Sequence, residues 1–277
     1  MMNLSKTTVW RLVREQKILR NHRRVAAICS ALIASYKANP VHYPFTPKKA
    51  FETDKIIWQY WATGFEDVPP VVRECLQSVE QYASDYQIVR LTDDTIDAYL
   101  DIPAFLQEKR AAMSAAHFAD VLRLMLLRTY GGIWMDATIL LTKPIPAAYA
   151  DNDFFMFRRD PAEPDYRYWR NVYAYYFGWT KGFRVNVLNS FIVARKDNPM
   201  VADLCDLLLL WWKDHDEVPD YFFFQILFDV YDGKAAFPLV SDTLPHYLQQ
   251  ALHDPAFHIM APEAIRETLA IHKLTYK

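Results

Sequence analysis

Cysteine is scarce in this sequence: Cys29, Cys75 and Cys205 are the only three in 277 residues. They lie far apart, are odd in number and form no C-x-x-C pair. That excludes a disulfide framework and a zinc site of ordinary spacing, and fits a reducing cytosol. Net charge is nearly absent too. The 31 Lys and Arg against 33 Asp and Glu leave −2 at neutral pH, so no global field points to a nucleic-acid partner. No apolar run reaches the ~20 residues that a bilayer core requires. Val25 to Ser35 is too short, and Leu207-Leu208-Leu209-Leu210-Trp211-Trp212 reads as a buried helix. A secretory signal is not expected either, because the basic region is overlong and no clear cleavage site precedes Tyr36-Lys37. Internal repeats and low-complexity tracts are lacking.

What is present is apolar and aromatic. With 52% hydrophobic residues the chain can bury the core of one large α/β domain with an appended helical piece. Eight Trp and seventeen Tyr suit a carbohydrate enzyme, because sugar C–H faces and nucleobases both pack on flat rings, although most such rings serve as core. We divide the chain into a basic helical extension, 1–45, and a main α/β domain, 46–277. In the extension Arg11, Arg14, Lys17, Arg20, Arg23 and Arg24 crowd together, and Val9, Leu12, Val13, Gln16 and Leu19 recur at helical spacing. Two readings stay open: an amphipathic helix drawn to an anionic membrane surface, which makes the enzyme peripheral on the inner face, or a solvated basic face of a helix packed on the domain. Beyond the Pro-rich stretch from Asn39-Pro40 to Thr46-Pro47, strand and helix patterns alternate as in a mostly parallel sheet. Strands are expected over 55–61, 86–91, 153–157 and 187–194, and helices over 69–83, 200–215 and 220–231.

The segment from Phe118 to Thr138 carries the most information. Phe118, Val121, Leu122 and Met125 form an i, i+3, i+4, i+7 stripe, with Asp120 and Arg123 neighbours off it. Ser114 is the expected N-cap and Gly131 the C-terminal glycine, so the chain turns through Gly131-Gly132 into a short strand, Ile133-Trp134-Met135. Asp136 emerges at that strand's carboxyl end, where ligands bind in open α/β sheets.

Ala119-Asp120-Val121-Leu122-Arg123 followed by Tyr130-Gly131-Gly132-Ile133-Trp134-Met135-Asp136-Ala137-Thr138 resembles the donor-binding core of GT-A glycosyltransferases with the DXD sugar-binding motif, specifically the glycosyltransferase family 32 and capsular polysaccharide synthesis group. Lys55 to Trp61, Asn189 to Ala194 and His272-Lys273 extend the resemblance over roughly residues 54 to 273. It implies a Rossmann-like GT-A fold with a mostly parallel sheet flanked by helices. It also implies transfer of a hexose from a sugar nucleotide, a UDP-sugar above all, to a saccharide or lipid-linked acceptor in surface polysaccharide synthesis, with retention of configuration. By the same resemblance Asp120 accepts from donor-sugar hydroxyls, Arg123 reaches the sugar or phosphate, and Asn189 sits beside the anomeric carbon. Asp136, Ala137 and Thr138 occupy the DXD position, and His272-Lys273 close over the diphosphate. Mn²⁺ or Mg²⁺ is expected on Asp136, with Thr138, His272, water and the donor's diphosphate oxygens as further ligands, so that the ion binds chiefly together with the nucleotide. Thr138, however, stands where the family places a second Asp, so Lys273 is the alternative carrier of leaving-group charge.

The remaining candidates have two readings each. Trp58 or Trp61 stacks on the nucleobase or packs in the core, with Gln59 beside them. Asp220 faces an acceptor hydroxyl as a catalytic group together with Asp136 and Asn189, or it caps a helix. A function of a different class, a non-catalytic sugar-nucleotide or glycan-binding subunit, accounts for the lost second Asp.

Overall fold

The computed structural model describes residues 6–231 and 237–276. Its described strands are β1 (Ile56–Tyr60), β2 (Gln87–Leu91), β3 (Gly132–Met135), β4 (Ile139–Leu141), β5 (Phe154–Arg158), β6 (Val187–Ala194) and β7 (Ile271–Lys273). The helices are α1 (Lys6–Ala38), α2 (Pro70–Tyr82), α3 (Ala104–Lys109), α4 (Ala115–Tyr130) and α5 (Ala147–Ala150). They continue with α6 (Tyr166–Val172), α7 (Pro199–Asp214), α8 (Phe223–Val230), α9 (Tyr247–His253) and α10 (Pro262–Thr268).

Five strands form the central sheet in the order β2-β1-β3-β6-β5, and β4 pairs with β7 in a separate two-stranded ribbon. β1 is parallel to both β2 and β3, while β6 is antiparallel to its neighbours β3 and β5. Four strands therefore run one way and only β6 is reversed, giving the mostly parallel α/β sheet expected from the sequence. Strand alternation sorts the apolar residues between its two faces. Trp58, Trp134 and Ile192 join the core beneath α4 and α7, whereas Ile57, Ile133, Met135 and Phe191 join the core on the other side.

The turn into β3 depends on two glycines in the left-handed region, Gly131 at φ 73° and Gly132 at φ 96°. A Cβ at Gly132 would come within 2.5 Å of the Ile56 carbonyl oxygen, and one at Gly131 within 2.6 Å of the Lys196 nitrogen. Only glycine lets β3 leave α4 so abruptly and still lie flush against β1.

α1 is built into this core. Its buried positions, Ile18, His22, Val25, Cys29, Ile33 and Tyr36, are spaced by three or four residues and pack it against α7 and α8. This stripe is not the one the sequence suggested: Leu12 and Val13 are exposed, and the side chain of Val9 lies outside the described residues. Beyond α1 the Pro-rich stretch is fastened to the buried carboxylate of Asp206, which accepts from Tyr43 N at 3.1 Å, pairs with Arg128 at 2.6 Å and contacts His42 at 2.9 Å. A buried charge is tolerated there because it is paired and hydrogen-bonded. The helix expected over 220–231 begins at Phe223.

Candidate active site

α4 begins where Ser114 accepts a hydrogen bond from His117 N at 3.1 Å and ends at Gly131, as its sequence dictates. Burial departs from expectation. Nearly every residue from Phe118 to Tyr130 is buried, so Asp120 and Arg123 do not lie on a solvated polar face. They are buried charges beside a cleft of about 500 Å³ at the carboxyl ends of β1 and β3.

Arg123 holds two carboxylates. Its Nη1 lies 2.8 Å from Asp120 Oδ1, its Nη2 lies 3.5 Å from Asp136 Oδ1, and its guanidinium sits 5.1 Å from the Trp134 ring centre. Asn189 on β6 donates from Nδ2 to Asp120 Oδ1 at 2.7 Å. Asp136 is fixed at the end of β3: its N–H donates to Ser190 O at 2.9 Å, and its Oδ1 accepts from Trp134 Nε1 at 2.8 Å. From the opposite side Lys273 brings Nζ to 3.6 Å from Asp136 Oδ2 and donates to Thr138 Oγ1. β7 delivers Lys273 there through its pairing with β4, which sets Ile139 opposite Lys273. Two anions and two cations thus face one another across the cleft, and Arg123 Nε is buried without a partner among the described residues.

The two carboxylates are held differently. Burial pushes the Asp120 carboxyl up to about 6, with Arg123 pulling down and the Asp136 charge adding to the rise. Asp136 meets the same burial cost, yet Lys273 and Arg123, with hydrogen bonds from Trp134 and Ser190, outweigh it and hold its carboxyl below the usual range. Asp136 is therefore a fixed anion, and Asp120 titrates close to physiological pH.

Trp61, Asp120, Arg123, Asp136, Ala137, Thr138, Asn189 and Lys273 all line the cleft. Four other candidates do not. Trp58 is fully buried beneath it, donating to Gly131 O at 2.9 Å among Phe51, Tyr99 and Tyr130. Gln59 alternates to the other face, where its Oε1 accepts from Arg90 Nε at 3.2 Å. Asp220 closes the turn before α8, accepting from Phe222 N at 2.7 Å and from Asn21 Nδ2 at 2.5 Å; Phe222 is the residue at the N-cap, so Asp220 is a turn residue and not the cap. His272 precedes Lys273 in the strand and so points the opposite way. It is fully buried, 2.9 Å from Thr142 Oγ1, and burial, with the Arg266 charge, lowers its pKa to about 4. Sequence reasoning missed Tyr60, Tyr176, Tyr221, His246 and Tyr276, which also line the cleft. Tyr60 ends β1 beside Trp61 and Tyr276 follows Lys273 closely, whereas Tyr176, Tyr221 and His246 are brought in by segments distant in sequence.

A resident Mn²⁺ or Mg²⁺ needs several oxygen ligands around one point. Among the described residues no three His, Cys, Asp or Glu side chains form such a group. Asp136 is the sole carboxylate at the DXD position, the Thr138 hydroxyl is already taken by Lys273, and His272 faces away. These side chains alone do not complete a divalent site, so an ion here would rest on Asp136 together with diphosphate oxygens and water. The Lys273 ammonium and the Arg123 guanidinium are the cations beside Asp136.

Comparison with known proteins agrees with this geometry in kind. The model of a family described as "Capsular polysaccharide synthesis protein" matches residues 10–277. The chain is 25% identical over 178 residues to the O-glycosyltransferase PaGT of Phomopsis amygdali, covering 60% of this chain and 41% of that one. It is 25% identical over 182 residues to the O-glycosyltransferase braB of Annulohypoxylon truncatum, covering 61% and 40%. Identity is 31% over 104 residues with the initiation-specific alpha-1,6-mannosyltransferase of Saccharomyces cerevisiae, covering 35% and 22%. The chain spans about two fifths of the length of the first two of these curated relatives. A solved structure titled PaToxG Glycosyltransferase aligns over 80% of this chain and 81% of its own at 16% identity, with a TM-score of 0.38.

Proposed function

The chain belongs to the capsular polysaccharide synthesis protein family, and we propose that it is a glycosyltransferase acting on a sugar nucleotide. The donor in this reading is a UDP-sugar. A hexose passes from it, with retention, to a saccharide or lipid-linked acceptor in surface polysaccharide assembly. The observation that carries the reading is the convergence of Asp120, Arg123, Asp136, Asn189 and Lys273 on one cleft. The names of the relatives, O-glycosyltransferases and a mannosyltransferase, support the reaction class.

The roles follow from the atoms available. Asp120, held from behind by Arg123 and Asn189, keeps acceptor capacity for donor-sugar hydroxyls. The unpartnered Arg123 Nε donates to a sugar or phosphate oxygen. Trp61 presents a half-buried ring for the base, beside Tyr276 at 5.3 Å between ring centres. As the bond from the anomeric carbon to the diphosphate breaks, negative charge gathers on the departing phosphate oxygen, and the Lys273 ammonium is the cation that meets it. Asp136 orients that ammonium. The acceptor oxygen forms the new bond on the same face, giving its proton to the leaving phosphate, so no second carboxylate need act as nucleophile.

α1 supports membrane association of the same enzyme. Lys17, Arg20 and Arg23 and the exposed Trp10, Leu12 and Val13 share its outer part. Among the described residues no helix is long and apolar enough to cross a membrane, so contact through α1 would lie at the surface.

The deciding experiment measures binding and hydrolysis of UDP-, GDP- and CMP-sugars by the purified protein. Hydrolysis of one class that is lost in Asp120→Ala supports transfer. Binding without hydrolysis and without transfer to any acceptor would support the non-catalytic alternative.

A further inference from the structure

One wall of the cleft has no part in the donor chemistry. Its rings run in sequence: His117 to Tyr221 at 5.6 Å between centres, Tyr221 to Phe222 at 5.0 Å, Phe222 to Tyr176 at 5.9 Å, and Tyr176 to His246 at 5.6 Å. Gln225, one turn into α8, also lines the cleft and is only 5% exposed. Three polar atoms of this wall are buried without a hydrogen-bond partner among the described residues: Gln225 Oε1, His246 Nε2 and His117 Nε2. Buried polar atoms are seldom left so, and three along one wall call for a ligand that supplies their partners.

The chemistry of that ligand can be narrowed. The five side chains that form the wall between Tyr221 and His246 carry no charge. Burial, with the positive charges of Lys273 and Arg159, lowers the His246 pKa to about 3, so its imidazole is neutral at physiological pH. The five side chains themselves supply no counterion; the cations Lys273 and Arg159, which act on His246, stand outside them. A hydroxyl group both donates and accepts, and so satisfies an amide oxygen and either tautomer of a neutral imidazole. Flat rings beside such atoms suit the C–H face of a sugar, and Tyr221 leaves 64% of its surface free for that contact.

We infer that Tyr176, Tyr221, Phe222, Gln225 and His246 form the acceptor subsite, and that it takes the hydroxyl-bearing face of an uncharged saccharide ring. Donor-sugar hydroxyls are served by Asp120, Arg123 and Asn189, and the acceptor wall lines the same cleft. The inference rests on the glycosyl-transfer reading above.

The test uses Tyr221→Ala, which removes an exposed ring, and Gln225→Leu, which keeps the volume and deletes the unpartnered oxygen. Probes are the methyl glycosides of glucose, galactose, mannose and N-acetylglucosamine, titrated by saturation-transfer NMR with UDP bound. Affinity for UDP alone is measured by calorimetry. Each variant should weaken glycoside binding about tenfold, the loss of one net hydrogen bond or ring contact, with UDP affinity unchanged. Gln225→Leu should melt no lower than wild type, because a purely structural glutamine would be missed on melting and an unpartnered one is not. Unmoved glycoside affinity, a parallel fall in UDP affinity, or wild-type protein that binds UDP but no glycoside would overturn the subsite. Glycoside binding without binding of any nucleotide would instead sink the transfer reading and leave the glycan wall standing.

Discussion

Replacing Lys273 with Met keeps the length of the side chain and removes the ammonium, which tests the account of the leaving group. Lys273 Nζ lies 3.6 Å from Asp136 Oδ2 and its side chain is 20% exposed, so the charge works in a partly screened setting. Two unit charges at ~4 Å interact by ~4 kcal/mol at an effective dielectric of about 20. Removing one preorganised donor from a developing oxyanion costs about 3–4 kcal/mol in comparable sites. Partial exposure favours the lower end. About 3 kcal/mol corresponds to a roughly hundredfold fall in kcat/KM. The assay is release of the nucleoside diphosphate from the sugar nucleotide, followed in EDTA and again with added Mn²⁺. Wild-type protein should turn over in EDTA, Lys273→Met should lose about two orders of magnitude, and Lys273→Arg should recover part of the loss. If EDTA abolishes wild-type turnover, Mn²⁺ restores it and Lys273→Met stays near wild type, an ion rather than Lys273 carries the charge and the account of the leaving group fails.

Three further outcomes follow from the structure. Asp120, raised to about 6, holds its proton in the folded state where the unfolded carboxyl has lost it, so its stabilising effect is full below about pH 4 and gone above about pH 6. Melting temperature measured from pH 4 to 7 should fall less steeply in Asp120→Asn, while turnover in wild type should rise through pH 6 as the carboxylate forms; identical melting profiles would count against the burial cost. His272→Ala opens a cavity and strands Thr142 in part, so it should destabilise by about 2–3 kcal/mol in urea unfolding, yet leave KM for the donor near wild type; a large donor effect would return His272 to the site. Charge reversal at Lys17, Arg20 and Arg23 should remove about 1 kcal/mol of membrane attraction per residue. Sedimentation with anionic vesicles should therefore weaken by at least a hundredfold at low salt and hardly change with neutral vesicles; unaltered sedimentation leaves α1 a packing element alone.

Local sequence determined a good deal of this molecule. The stripe through Phe118, Val121, Leu122 and Met125, the cap at Ser114 and the glycines at 131 and 132 suffice to specify helix, sharp turn and strand, because each acts over a few residues. With them come Asp120 and Arg123 as neighbours and Asp136 at a strand end. The larger strands and helices were legible for the same reason. Which charges are buried was not legible: α4 is covered on nearly all sides by β-strands and α7, and periodicity within one helix cannot register what packs on its polar side. The facing of His272 and Lys273 depends on a two-residue period whose phase is set only when β7 pairs with β4, and that phase sends lysine to the cleft and histidine to the core. Tyr176, Tyr221, Gln225 and His246 come from three segments that carry no common motif, so their shared wall exists only once the segment after α6, the start of α8 and the turn at 244–246 have packed together. Local sequence set the elements and placed polar residues at their ends; tertiary packing decided which of those residues meet in the cleft, because burial and strand phase are properties of neighbours distant along the chain.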